Sequence, residues 1–303
     1  MRFHLPDFSR HYKLNLMIID LINSKPELFH EKIEIGSVYG AFISSLWNGG
    51  RLFIGGNQDI NLAKQIINEF NSRGVPIRFT FSNSHIKREH LNDEFCNRCL
   101  ELANNGMNEV ILTSPILETY IRKYYPNFKI VSSTCKRLTN YKELLDELNS
   151  DYSMVVLDYD WNNRYDLLKD FPNKDKCEIL TNPTCIPNCN ERKEHYDYIS
   201  RNQIDAVLQG KELDDKYKFH DFECKYMPIN FYDATNYKTH ISIEDITNKY
   251  VALGFENFKI EGRSSPSISV LESYVYYFVK PEYKDKLRLE LLLNLTKKYR
   301  FYN

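Results

Sequence analysis

Two thiols set four positions apart, in Cys185-Ile186-Pro187-Asn188-Cys189, follow the apolar run Cys177–Asn182 directly. On a proline-bent loop leaving a strand, both sulfurs can turn toward one metal ion or cluster, and thiolates are soft ligands suited to zinc or iron–sulfur centres. Cys135 and Cys224 complete a candidate four-thiolate set. The bland reading of the same residues is buried thiols packing as small hydrophobes, because a lone C-x3-C is a weak signal. Cys96 and Cys99 form a C-x2-C inside a predicted helix over Arg88–Asn104 with no second C-x2-C after it, and read as structural thiols. Seven cysteines, an odd number scattered over the chain, argue against a disulfide framework.

A second group of candidates sits at the carboxyl ends of the predicted strands. Asp158 and Glu261 are placed to act as general base or substrate anchor, and Arg263 to hold a carboxylate or phosphate. Against this, Glu261 and Arg263 can simply pair with neighbours at a barrel rim. Ser37, Tyr39, Asn83, Asp160 and Asn182 share these positions. His195, with Arg192 one turn earlier on the helix after the thiol loop, is available to hydrogen-bond a cluster sulfide or a substrate; a solvated helix face explains it equally well. P-loop, Rossmann, zincin and nucleophile-elbow motifs are absent, as is the C-x3-C-x2-C run of radical enzymes.

The elements that must position these groups follow from periodicity. Short apolar runs at Lys32–Gly36, Arg51–Gly55, Ile77–Ser82, Glu109–Thr113, Lys129–Thr134, Met154–Asp158, Cys177–Asn182 and Phe258–Gly262 predict eight strands. Helical patterns lie between most of them: Ile60–Ser72, Arg88–Asn104, Leu117–Tyr124, Tyr141–Leu148 and Glu191–Gln203. Alternation of this kind predicts an α/β fold, a (β/α)8 TIM-type barrel, with a doubly wound open sheet as the alternative. A single domain spans 1–303, with an N-terminal helix at 13–22, a long insertion at 210–240 before the last strand and closing helices over 266–300. Barrel active sites lie on the loops after the strands. That rule puts Cys135, Cys185 and Cys189 on one face, lets Cys224 fold over it from the insertion, and sends Cys177 to the opposite end. The loop Gly40–Gly50, with Trp47-Asn48-Gly49-Gly50, faces the same side.

The chain has 303 residues and a formal charge of −1, so no global field points to nucleic acid or a membrane surface. No run approaches the roughly 20 apolar residues of a membrane span, and Met1–Phe29 lacks a signal-peptide pattern. A cytoplasmic location with reduced thiols is the expectation.

Phe258-Lys259-Ile260-Glu261-Gly262-Arg263, preceded by Ile243–Gly254 as a helix ending in Leu253-Gly254, resembles the signature near the end of the collagenase-like U-type peptidases. Glu109–Thr113, Ile130–Thr134 with Thr139-Asn140, and the Cys185/Cys189 pair are similar to that family's middle strands and thiol loop. The resemblance spans about Glu109 to Val279 and is most distinctive at the Lys-Ile-Glu-Gly-Arg block. It implies a barrel carrying a [4Fe–4S] cluster on four cysteines, here Cys135 or Cys177 with Cys185, Cys189 and Cys224; zinc is the alternative. It also implies an oxygen-independent hydroxylase or related enzyme acting on an aromatic or nucleobase substrate near Glu261, Arg263 and Asp158. A peptidase and a non-catalytic partner subunit of a paralogous enzyme are the other readings. The cysteine block and the glycine-rich first loop depart from the family's usual forms.

Overall fold

The computed structural model describes residues 1–55, 59–209, 224 and 231–296. Eight parallel strands close in sequence order into a barrel: β1 Arg2–Pro6, β2 Glu34–Gly40, β3 Ile77–Phe79, β4 Glu109–Leu112, β5 Lys129–Ser132, β6 Met154–Val156, β7 Cys177–Leu180 and β8 Asn257–Lys259. Around them run α1 Tyr12–Ser24, α2 Ile60–Ser72, α3 Glu94–Ala103, α4 Pro115–Tyr124, α5 Tyr141–Leu148, α6 Tyr165–Leu168, α7 Arg192–Leu208, α8 Phe231–Thr235, α9 Ile243–Asp245, α10 Ser267–Phe278 and α11 Lys284–Thr296. This is the expected (β/α)8 TIM-type barrel, and the open doubly wound sheet is excluded by the pairing of β1 with β8. Among the described residues no helix is long and apolar enough to cross a membrane. The expected insertion at 210–240 falls largely on residues outside those described, as does the end of the closing helices beyond 296.

Two strand assignments need correction. The first strand is Arg2–Pro6, and the run Arg51–Gly55 is coil at the mouth of the barrel. Arg2–Pro6 escapes detection because only Phe3 and Leu5 are apolar, with His4 between them. Both point outward to the helices, where Phe3 meets Phe278 edge-on with ring centroids 4.9 Å apart. Arg51–Gly55 reads as a strand because it is apolar, yet its backbone is tied to a side chain: Phe53 N donates to Gln203 Oε1 at 2.9 Å. The expected strand Lys32–Gly36 starts two residues early and covers only Glu34–Gly36 of the true β2.

Local chemistry explains the helices. Asp59 caps α2 by accepting from Asn61 N and Leu62 N, and α2 buries Ala63, Ile66, Ile67 and Phe70 at helical spacing. Gly74, at φ +72°, ends it. Ser114 and Asn140 cap α4 and α5 in the same way.

Alternation along the strands sorts side chains into two compartments. Phe79, Val110, Ile130, Val155, Ile179 and Phe258 face the helices, whereas Tyr39, Ile111, Val131, Met154, Val156 and Leu180 fill an inner cluster. Below that apolar layer the barrel axis is ionic. Arg78 is paired with Glu109 and Glu178, and Glu178 also holds Lys259 Nζ at 3.0 Å and lies 3.5 Å from His4 Nε2. Burial, reinforced by Arg78, pushes His4 down to about 3, so the ring stays neutral. A bulge opposite His4 brings Ser37 Oγ to 2.8 Å from its Nδ1. Gly36 sits in that bulge, where an added Cβ would meet His4 Cε1 at 2.7 Å.

Candidate functional site

The carboxyl ends of the strands enclose a small cavity of about 60 Å³. Tyr39 from β2, Thr80 and Ser82 after β3, Cys135 after β5, Tyr159 after β6, and Lys259, Glu261 and Arg263 from β8 onward line it, with Arg51 and Tyr196.

The loop after β2 forms one wall, and its glycines permit the approach. A Cβ on Gly49 would lie 2.4 Å from the Ser82 backbone, and Gly50 adopts φ +72° with Arg263 and Cys135 immediately beside it. Trp47 anchors this loop from below: it is fully buried, donates from Nε1 to His90 O at 2.8 Å and stands edge-on to Phe81.

Helix α7 supplies the roof. A helix following β7 would ordinarily pack outside the barrel, but α7 reaches across the mouth to the loops after β2 and β3. Asn83 Nδ2 donates to Ser200 O at 2.9 Å, and Gln203 Nε2 donates to Ser45 O and Phe53 O, both at 3.0 Å. Tyr196 on α7 meets Tyr159 hydroxyl to hydroxyl at 2.9 Å. Burial raises both phenols well above their ordinary value, so they remain neutral.

Of the predicted residues, Arg263, Glu261 and Cys135 come together in this cavity. Arg263 donates to Asn48 Oδ1 at 2.8 Å, to Thr80 Oγ1 and to Gly49 O, all neutral acceptors. Among the described residues it makes no ion pair; Asp7 acts on it only from beyond that distance. Glu261 is paired with Arg51 and accepts from Thr184 N at 3.0 Å, which fixes it as part of the wall. Burial raises the Cys135 thiol, opposed by hydrogen bonding to Ser133 and by Arg263 and Arg51.

Asp158 does not line this cavity. Its oxygens take Arg192 Nη1 at 2.7 Å and Arg137 Nε at 3.1 Å, while Asp160 takes the same guanidiniums at 3.1 and 3.4 Å. This buried clamp holds the thiol loop: Arg192 Nη2 donates to Ile186 O at 2.6 Å, Arg137 Nη1 to Cys189 O at 3.2 Å, and Asn188 N to Asp160 Oδ1 at 2.7 Å.

The thiols divide between two places. Cys185 and Cys224 line a smaller cavity of about 40 Å³ with Arg192 and His195, and Cys189 is near enough to Cys185 to add to the rise that burial gives its thiol. Burial, then Arg51, pushes His195 down to about 4. Cys135 belongs to the larger cavity, and Cys177 is buried at the amino end of β7. Among the described residues no three His, Cys, Asp or Glu side chains gather as a metal-binding group, so as placed these cysteines do not make a four-thiolate set. Cys96 and Cys99 are buried in the outer core.

With this geometry in view, the barrel has a counterpart among solved structures. The structure of the U32 peptidase Mk0906 matches with a TM-score of 0.52 and 11% sequence identity, over 88% of this chain and 94% of that one. The likeness shows the fold. No family model matches the chain, and neither does any curated protein sequence.

Arg51, Tyr159 and Tyr196 were not singled out by sequence, and Lys259 stood out only as part of the Lys-Ile-Glu-Gly-Arg block, with no role attached. Tyr159 carried a signal, lying between the two strand-end aspartates. Tyr196 carried none, because only the path of α7 brings it to the mouth.

Proposed function

We propose that the barrel mouth binds, and the protein modifies, a small anionic substrate carrying an aromatic or nucleobase ring. The observation behind this reading is Arg263, a partly buried guanidinium that lines the cavity and has no carboxylate partner among the described residues. A cation withdrawn from water and left unpaired is costly, and an incoming carboxylate or phosphate would offset that cost. Tyr39, Tyr159 and Tyr196 offer ring surface beside it. Calorimetric titration with 4-hydroxybenzoate and with uridine and cytidine monophosphates tests the proposal, with the uncharged parent compounds as controls. Binding of at least one anion, weakened about tenfold or more in Arg263→Gln, is expected for a lost charge-assisted contact. Equal binding of charged and uncharged compounds, or no effect of the substitution, would overturn it.

An iron–sulfur-dependent hydroxylase-type enzyme is the second reading, favoured by Cys185 and Cys224 on one cavity wall with Cys189 on the same loop as Cys185. It requires a rearrangement that brings a further thiol to these three. Iron and sulfide in anaerobically purified protein, with broad visible absorbance lost in Cys185→Ala/Cys189→Ala, would support it. Zinc alone, or no metal, would refute it. Nothing specific in the site favours a peptidase or a non-catalytic partner subunit over these readings.

A further inference from the structure

The floor of the mouth cavity holds an amine. Lys259 ends β8 with its side chain pointing into the barrel, 7% exposed, where it lines the cavity together with Arg263 and Thr80. Its Nζ lies 3.0 Å from Glu178 Oε1 and 4.0 Å from the centre of the Tyr39 ring. The other Glu178 oxygen is taken by Arg78, so the carboxylate is held in place from below. Lys259 therefore reaches both compartments: its Nζ is paired with Glu178 in the ionic layer, and its side chain forms part of the cavity wall.

We propose that Lys259 is a reactive amine that condenses with a carbonyl group on the anion held in the mouth, an inference that rests on the reading of that cavity as a substrate site. Three elements of such chemistry converge there. The Lys259 side chain lines the cavity, Glu178 fixes its nitrogen from below, and Arg263 is available to hold the substrate's anionic group. Burial, then Arg78 and Arg263, push the ammonium below its ordinary value against the pull of Glu178, which eases the loss of a proton.

The step balances without an outside reagent. Lys259 gives up one proton to solvent water, and the neutral amine adds to the carbonyl carbon, forming the N–C bond; a proton then moves from nitrogen to the carbonyl oxygen, making a hydroxyl. That hydroxyl takes the proton back from solvent and leaves as water with cleavage of the C–O bond, giving an iminium. The ligand class is an anionic aldehyde or 2-oxo acid.

Pyridoxal 5′-phosphate serves as a probe because it is an anionic aromatic aldehyde, and pyridoxine 5′-phosphate is its counterpart without the carbonyl. The full chain is incubated with the aldehyde, reduced with borohydride and mapped by peptide mass spectrometry; binding of pyridoxine 5′-phosphate is measured separately by calorimetry. The expected result is a reduced adduct on Lys259, suppressed about tenfold by excess pyridoxine 5′-phosphate and about tenfold in Arg263→Gln. Saturable binding of pyridoxine 5′-phosphate with label only on exposed lysines would overturn the role of Lys259 and leave the cavity reading intact. Neither binding nor a Lys259 adduct would overturn both. The map is read on the wild-type chain, so it does not depend on the folding of any Lys259 variant.

Discussion

His4 makes the barrel acid-sensitive to a calculable extent. Its ring is fully buried, with Nδ1 2.8 Å from Ser37 Oγ and Nε2 3.4 Å from Asn257 Oδ1, and burial with Arg78 lowers it from 6.5 to about 3. The unfolded chain takes up the proton as pH falls through 6.5 while the folded chain refuses it until about 3. Across that window each pH unit removes about 1.4 kcal/mol of stability, and above it this residue imposes no cost. Between about pH 6.5 and 4.5 the loss from His4 alone comes to roughly 3 kcal/mol. Urea unfolding followed by the fluorescence of Trp47 and Trp161 measures this in wild type and in His4→Gln at several pH values. The variant starts less stable at neutral pH because it packs and hydrogen-bonds differently, so the slope carries the prediction rather than the intercept. His195 and His240, each lowered to about 4, contribute equally to both proteins and cancel. The variant's stability should decline more slowly on acidification. Parallel pH profiles for the two proteins would refute the reasoning.

Asp158→Asn should cost about 3–5 kcal/mol, because it leaves Arg137 and Arg192 short of a buried counter-charge. The same change should speed the reaction of Cys185 and Cys189 with a disulfide reagent, and an unchanged thiol rate would show that the clamp does not hold their loop. Gly50→Ala should destabilise the protein by about 1–3 kcal/mol in thermal unfolding, from a side chain forced to positive φ against Arg263 and Cys135. Trp47→Ala should cost about 3–5 kcal/mol by urea titration, since it empties a buried site and leaves the His90 carbonyl without its indole donor.

Much of the scaffold was legible because its signals are local. Asp59, Ser114 and Asn140 cap helices that begin where the apolar periodicity starts, and β4 to β7 fall within the apolar runs that predicted them. Where two local signals conflicted with closure, closure prevailed. Arg2–Pro6 has too few apolar residues to announce itself, but it pairs with both β2 and β8 and so completes the ring. Arg51–Gly55 has the apolar run of a strand, yet Gln203 and the mouth claim its backbone.

The sequence by itself determined the fold class and placed Arg263 and Glu261 at the strand ends that ring the mouth. Tertiary structure decided what each does. It committed Asp158 to the clamp beneath the thiol loop, paired Glu261 with Arg51, and left Arg263 with neutral partners. It also divided Cys135 from Cys185 and Cys224, and carried Tyr196 over the mouth on α7. Those outcomes depend on distances between residues far apart in the chain. Secondary structure is written in neighbours a few positions apart, whereas the pairing of charges and the grouping of thiols are set only when a closed barrel brings distant strand ends within a few ångströms.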